Sequence, residues 1–257
     1  MSDLRNHPFL TSPGARALAH RGGALEAEEN TLPAFAHAAG LGFSHVELDV
    51  HATRDGVVVV HHDPDLARIC NDPRRIADLD WEELRGIRTR GGNDIPRLED
   101  VLRDFPGLFI AIEAKSRRVI APLCQLLGQG GFLGRVSLGA FDPACTTRAC
   151  AALGPDLLWS PAQGQVARLW ARGWGLPLAL APFGLVQVPE RWHGIPVVTR
   201  RFVQAAHAQG VAVQVWTVND AASMTRLLDM GVDGIMSDRP TQLKALLQAR
   251  GDWPSEA

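Results

Sequence analysis

Glu47 and Asp49 stand two apart in Val46-Glu47-Leu48-Asp49-Val50. An extended strand puts both carboxylates on one face and Val46, Leu48 and Val50 on the other. The apolar neighbours point to burial, and two buried carboxylates repel each other unless a cation lies between them. Glu113 and Lys115 repeat the two-residue spacing late in the apolar run Phe109-Ile110-Ala111-Ile112-Glu113-Ala114-Lys115. A salt-bridged strand end would account for that pair alone. With Glu47 and Asp49, however, Glu113 makes a set of three hard oxygen ligands with no cysteine nearby, which suits Mg²⁺ or Ca²⁺ rather than structural zinc. Lys115 would then stand beside the site, ready for a phosphate oxygen.

Two further motifs carry acid/base and anion-binding residue types. In His20-Arg21-Gly22-Gly23, the guanidinium offers a fork of donors matched to phosphate, and the glycines allow a close backbone approach. Taken alone, this motif reads equally well as a polar turn. In Val60-His61-His62-Asp63-Pro64, strand alternation sends His61 and His62 to opposite sides, so at most one faces a site. A lone histidine is more often structural than catalytic. Two histidines at the ends of neighbouring strands, flanking a carboxylate pair on the strand between, favour proton transfer.

Positioning these groups requires a parallel sheet read from its carboxyl ends. Short β-branched or apolar runs alternate with stretches of helical period, the pattern of repeated βα units. The runs are Ala17 to His20, His45 to Val50, Val57 to His61, Phe109 to Ala114, Arg135 to Ala140, Leu157 to Ser160, Leu185 to Val188, Val211 to Val218 and Gly234 to Ser237. Nine runs for eight places predict a (β/α)8 TIM barrel in which one weak run, Leu157 to Ser160 or Leu185 to Val188, is surplus. Helices are expected from Thr31 to Ala39 with Asn30 as N-cap, around Trp81 to Gly86, and after Leu98, Val119, Pro143, Gln163, Arg200, Asp220 and Thr241. Asp63 to Pro96 is too long for an ordinary βα connection and reads as a small excursion, between the third and fourth strands, on the active face. A single domain of residues 1–257 with its core at about 17–245 is expected, with a loose tail after Gly251.

Lys and Arg number 26 against 28 Asp and Glu, a formal net charge of −2, so no overall positive field recruits nucleic acid. Cys70, Cys124, Cys145 and Cys150 form no C-x-x-C pair and suit reduced thiols in the cytoplasm. The early charges Asp3, Arg5 and Arg16 leave no apolar core for a secretory signal. The longest apolar stretch, Leu176 to Val188, is broken by Pro177, Pro182 and Gly184, so no integral membrane segment is expected.

The motifs together are more specific than any one of them. Ala19-His20-Arg21-Gly22-Gly23, Glu29-Asn30-Thr31, Val46 to Val50, His62-Asp63, Ile95 to Leu102, Ile112 to Lys115, Val215-Trp216-Thr217-Val218-Asn219 and Gly231 to Pro240 closely resemble, in order, the glycerophosphodiester phosphodiesterase family. The resemblance spans about residues 17–245. It implies a (β/α)8 barrel that hydrolyses a small-molecule glycerophosphodiester to glycerol 3-phosphate and an alcohol. It also implies His20 and His62 as the acid/base pair, with His62 favoured as acid, and Glu47, Asp49 and Glu113 as ligands of one divalent cation. Arg21 and Lys115 are implied as phosphate contacts, and Phe141 and Trp216 as pocket walls. Two positions depart from the family pattern: Glu28 replaces a proline, and the glycine expected near Asn71-Asp72 is missing. Both bear on the excursion and so on which alcohol is accepted. A lysophospholipase D or phosphodiester-lyase activity on lipid is the alternative chemistry, and a non-catalytic phosphoester-binding barrel the alternative class.

Overall fold

A computed structural model describes residues 4–12 and 17–254. Asp3, Arg16 and the last three residues of the tail lie outside the described residues. Eleven strands are present among the described residues: β1 Ala17–His20, β2 His45–Ala52, β3 Val58–Val60, β4 Phe109–Ala114, β5 Val136–Gly139, β6 Leu158–Trp159, β7 Leu185–Pro189, β8 Arg191–Trp192, β9 Ile195–Pro196, β10 Ala212–Trp216 and β11 Gly234–Ser237. Eight of them pair in parallel in the order β6-β5-β4-β2-β1-β11-β10-β7, a nearly closed barrel. The seam lies between β6 and β7, where the Gln187 N–H donates to Ser160 Oγ at 2.9 Å.

The surplus run is neither of the two expected. Leu157 to Ser160 and Leu185 to Val188 both contribute barrel strands, at the seam, while β3 pairs antiparallel with the end of β2, Val50 opposite Val60. The reason is loop length. Residues 53–57 are too few for a crossover, so the chain can only turn back on itself as a hairpin. His62 is therefore delivered by a strand descending toward the site rather than by the carboxyl end of a barrel strand.

The helices are α1 Pro8–Thr11, α2 Leu32–Gly40, α3 Ala67–Cys70, α4 Trp81–Leu84, α5 Leu98–Asp104, α6 Ile120–Gln129, α7 Pro143–Leu153, α8 Gln163–Arg172, α9 Arg200–His207, α10 Ala221–Met230 and α11 Pro240–Arg250. Alternation on β2 turns Val46, Leu48 and Val50 outward into the core shared with helix residues such as Phe35, Leu98 and Val101. Inside the barrel, Leu18, Ala111, Leu158, Leu185 and Met236 pack with Phe9, so α1 plugs the amino-terminal end of the strands. His45, the first residue of β2, is fully buried there; its Nε2 donates to the Phe9 carbonyl at 2.8 Å and its ring stacks on Phe109. The excursion carries α3, α4 and a small core of its own in which Leu66, Ile76, Leu79 and Leu84 gather under Val59. The tail is not loose as far as it is described, for Trp253 packs edge-on against Phe43 at 5.1 Å with Lys244 over its ring. The four cysteines are free, and no described helix is long and apolar enough to cross a membrane.

Candidate active site

At the carboxyl end of β1 the chain turns through three left-handed residues, Arg21 at φ 52°, Gly22 at 84° and Gly23 at 104°. A Cβ on Gly22 would stand 2.7 Å from that of Ala34, and one on Gly23 2.7 Å from Pro240, so the turn needs glycine for space as well as for φ. It points the Arg21 backbone N–H at Glu47 Oε2, 3.2 Å away. Arg21 Nε lies 3.1 Å from Asp49 Oδ2 but out of hydrogen-bond alignment, a buried donor with no aligned acceptor.

Glu47, Asp49 and Glu113 each bring a carboxylate oxygen within 4.8 Å of the others. Parallel pairing of β2 with β4 sets Asp49 opposite Glu113, which closes the triangle. Burial, and then the neighbouring Asp49, push the Glu47 carboxyl well above the ordinary carboxylate range. Burial also opposes charge on Asp49, but Lys115 and Arg21 outweigh it and hold Asp49 below its usual value. Lys115 Nζ reaches Glu113 at 2.7 Å and Asp49 at 3.1 Å, so one ammonium serves two carboxylates, while the ion pair of Glu47 is the longer one to His20, at 3.7 Å. The set is thus short of positive charge on the Glu47 side. Oxygens about 2.4 Å from a hard cation span up to about 5 Å across it, and this donor set fits such an ion.

Both histidines turn Nδ1 toward an aspartate. His20 Nδ1 donates to Asp238 Oδ1 at 2.6 Å, and Asn219 holds the other oxygen of Asp238 at 2.7 Å. Burial disfavours charge on His20, yet Glu47 and Asp238 more than compensate and raise its pKa. His62 Nδ1 donates to Asp63 Oδ1 at 2.7 Å; Asp63 takes Arg68 Nε at 2.6 Å, Arg68 spans to Glu29, and Glu29 accepts from Arg21 at 3.0 Å. One chain of charge-assisted bonds therefore runs from His62 to the arginine beside the carboxylates. His61 faces away and is buried, its Nε2 donating to the Asp65 carbonyl at 3.1 Å.

These groups line one end of a cavity of about 570 Å³ that continues past Phe141 and Trp216, whose rings meet edge to face at 5.9 Å. Beyond them the walls are apolar, with Val166, Ala167 and Trp170 of α8 facing Trp192 and Ile195 of the β8–β9 hairpin. All nine site residues expected from the sequence meet at this place; eight line the cavity, and Asp49 lies buried behind Glu47.

The model of the glycerophosphoryl diester phosphodiesterase family matches residues 20–127 and 164–242. The chain belongs to that family. It is accordingly a phosphoric diester hydrolase. Among similar proteins, "Probable glycerophosphodiester phosphodiesterase 2" of Mycobacterium tuberculosis is 36% identical over 95% of both chains. Lysophospholipase D GDPD3 of Mus musculus is 26% identical over 95% of this chain and 87% of its own. An Oleispira antarctica phosphodiesterase, solved in complex with the product sn-glycerol-3-phosphate, superposes with a TM-score of 0.74 at 22% identity, covering 91% of this chain and 96% of that one.

Both departures from the family pattern have a structural account. Glu28, where the family has proline, accepts hydrogen bonds from Thr89, the Gly91 N–H and Asn93, and so ties the excursion to the loop after β1. Asn71, close to the missing glycine, holds φ 56°, a left-handed conformation that asparagine tolerates better than other side chains. Asn30 is not the N-cap of α2. Thr31 caps it by accepting from Ala34 N–H at 3.3 Å, while the Asn30 amide donates to Asp49 at 3.0 Å. Asn30, Asp63, Arg68, Asn219 and Asp238 hold the site groups in place, as does His51, whose Nε2 donates to the His62 carbonyl at 3.1 Å. Of these, Asn30, Asp63, Asn219 and Asp238 lie inside the motifs that carry the resemblance.

Proposed function

We propose that the chain hydrolyses glycerophosphodiesters to glycerol 3-phosphate and an alcohol, with Glu47, Asp49 and Glu113 holding one Mg²⁺ or Ca²⁺ and His20 and His62 moving the protons. The observation that carries this reading is the meeting of three carboxylates with two aspartate-oriented histidines at one end of a single cavity. When bound, the cation withdraws charge from a phosphate oxygen. Arg21 and Lys115 take the remaining phosphate oxygens. His20 Nε2, its other nitrogen fixed by Asp238, accepts the proton of the attacking hydroxyl or water. His62 Nε2 gives a proton to the departing alkoxide, and Asp63 steadies the imidazole as it does so. Phe141 and Trp216 wall the phosphate from bulk water.

A second reading applies the same chemistry to a lysophospholipid, whose acyl chain would lie along the apolar arm beside α8. The lysophospholipase D among the relatives supports it. Phosphoester release from glycerophosphocholine and from lysophosphatidylcholine, measured side by side, separates the two. Turnover of glycerophosphocholine with glycerol 3-phosphate as product is expected; turnover of neither substrate would overturn the reading.

A further inference from the structure

The loop that leads into the apolar stretch Leu176 to Val188, ahead of its buried strand β7, touches none of the catalytic groups and lies on the surface. Residues 174–179, Trp174-Gly175-Leu176-Pro177-Leu178-Ala179, form six consecutive exposed residues without a polar side chain; Trp174 is 57% exposed and Leu176 54%. Such a run is unfavourable in water unless something covers it. It is also built rather than slack. Arg172 donates to the Leu178 carbonyl at 2.7 Å and Arg168 to that of Ala179 at 3.3 Å, which straps the loop back along α8.

The loop is continuous with the mouth of the active-site cavity. Trp174 packs on Trp170 with ring centroids 5.7 Å apart, and Trp170 Nε1 donates to the Pro196 carbonyl in the β8–β9 hairpin. That hairpin turns tightly through His193 at φ 47° and Gly194 at 82°, and so thrusts out Trp192 and Ile195, the latter 59% exposed. Loop and hairpin form an apolar lip over the arm of the cavity that runs beside α8.

Charge around the lip opposes that of the molecule. Between Gln163 and Arg201 there are five arginines, Arg168, Arg172, Arg191, Arg200 and Arg201, against one acidic residue, Glu190, in a chain of net charge −2. Glu190 is itself neutralised by Arg226 at 2.8 Å. Arg201 lies over the Trp174 ring at 4.5 Å. Exposed tryptophan and leucine beside arginines match a membrane interface, where apolar side chains enter the acyl boundary and guanidinium groups meet lipid phosphates.

We propose that this lip docks on an anionic phospholipid surface and sets the mouth of the cavity against it. The surface lies outside the catalytic centre, and docking is read without turnover, so it stands or falls separately from the chemistry proposed above.

The test is co-sedimentation of the full chain with vesicles of phosphatidylcholine mixed with phosphatidylglycerol, and with vesicles of phosphatidylcholine alone. The chain should sediment with the mixed vesicles, less with the neutral ones, and less again as salt rises. Combining Leu176→Ser with Leu178→Ser should weaken vesicle binding by about 10-fold or more, since each removes an apolar side chain from the lipid boundary. Glycerophosphocholine turnover and melting temperature should stay unchanged in that variant. Arg191→Glu with Arg200→Glu should abolish the preference for the anionic vesicles. A chain that remains in solution with both vesicles, or a serine variant that sediments like the parent, overturns the proposal. So does a dimer of the free protein that the serine substitutions dissociate, because the lip would then be a protein interface.

Discussion

Glu47 and Asp49 are equivalent in the sequence and unequal in the structure. Asp49 has Lys115 and Arg21 against it at 3.1 Å each, whereas Glu47 faces the like charges of Asp49 and Glu113 with its ion-pair partner His20 at 3.7 Å. Removing charge from Glu47 therefore relieves repulsion, and removing it from Asp49 takes one of two carboxylate partners from each of two part-buried cations, leaving Lys115 to Glu113 and Arg21 to Glu29. In the metal-free protein Glu47→Gln should leave thermal stability unchanged or higher, and Asp49→Asn should lower it by about 1 to 3 kcal/mol, as loss of a charged hydrogen-bond partner does. Equal losses in denaturant titrations of the two variants would contradict this. Asp63 touches His62 but nothing at the phosphate end, so Asp63→Asn should lower kcat by about 10- to 100-fold with little change in KM. An unchanged kcat would show that His62 needs no such orientation. The His20–Asp238 pair was hidden from sequence reading by a separation of 218 residues. It follows only once the sheet closes: β1 pairs with β11, so the last residue of one strand meets the residue just after the other.

Most elements could be read in advance because each carries its own period and cap. The helices after Pro143 and Asp220 begin where apolar periodicity and a capping aspartate coincide, and α10 ends on the left-handed Gly231. Connection length, not local hydrophobicity, decides which run is surplus. Val57 to His61 looks like a strong barrel strand, yet its five-residue link to β2 forbids a parallel place. The weak run at β6 is short where it borders the seam, at which pairing is incomplete. The excursion keeps its shape through the Glu28 contacts, none of which its own sequence reveals. Glu28→Ala should cost about 1 to 2 kcal/mol of stability and speed amide exchange in residues 89–93. Exchange there at the parent rate would mean the excursion stands without the tie.

For the whole barrel, the two ends divide function from stability. The carboxyl end gathers the charged groups, and the amino end is sealed by α1 around an uncharged histidine. Burial lowers the His45 pKa to about 4, against the gain from its bond to the Phe9 carbonyl. A depressed histidine binds its proton later in the folded chain than in the unfolded one. Its contribution is therefore complete above the ordinary pKa of 6.5 and is lost as pH falls from there toward 4, about 3 kcal/mol in all. His45→Gln should flatten the fall in stability over that window, whatever its effect at neutral pH. A pH slope equal to that of the parent would place the acid sensitivity elsewhere.

The proposed chemistry depends most heavily on a divalent cation at Glu47, Asp49 and Glu113. Release of glycerol 3-phosphate from glycerophosphocholine, followed while the protein is stripped with EDTA and then titrated with Mg²⁺ or Ca²⁺, tests it directly. Turnover should vanish on chelation and return with the added ion, and Glu113→Gln should shift the titration to higher ion concentration. Full turnover in excess EDTA would contradict the account.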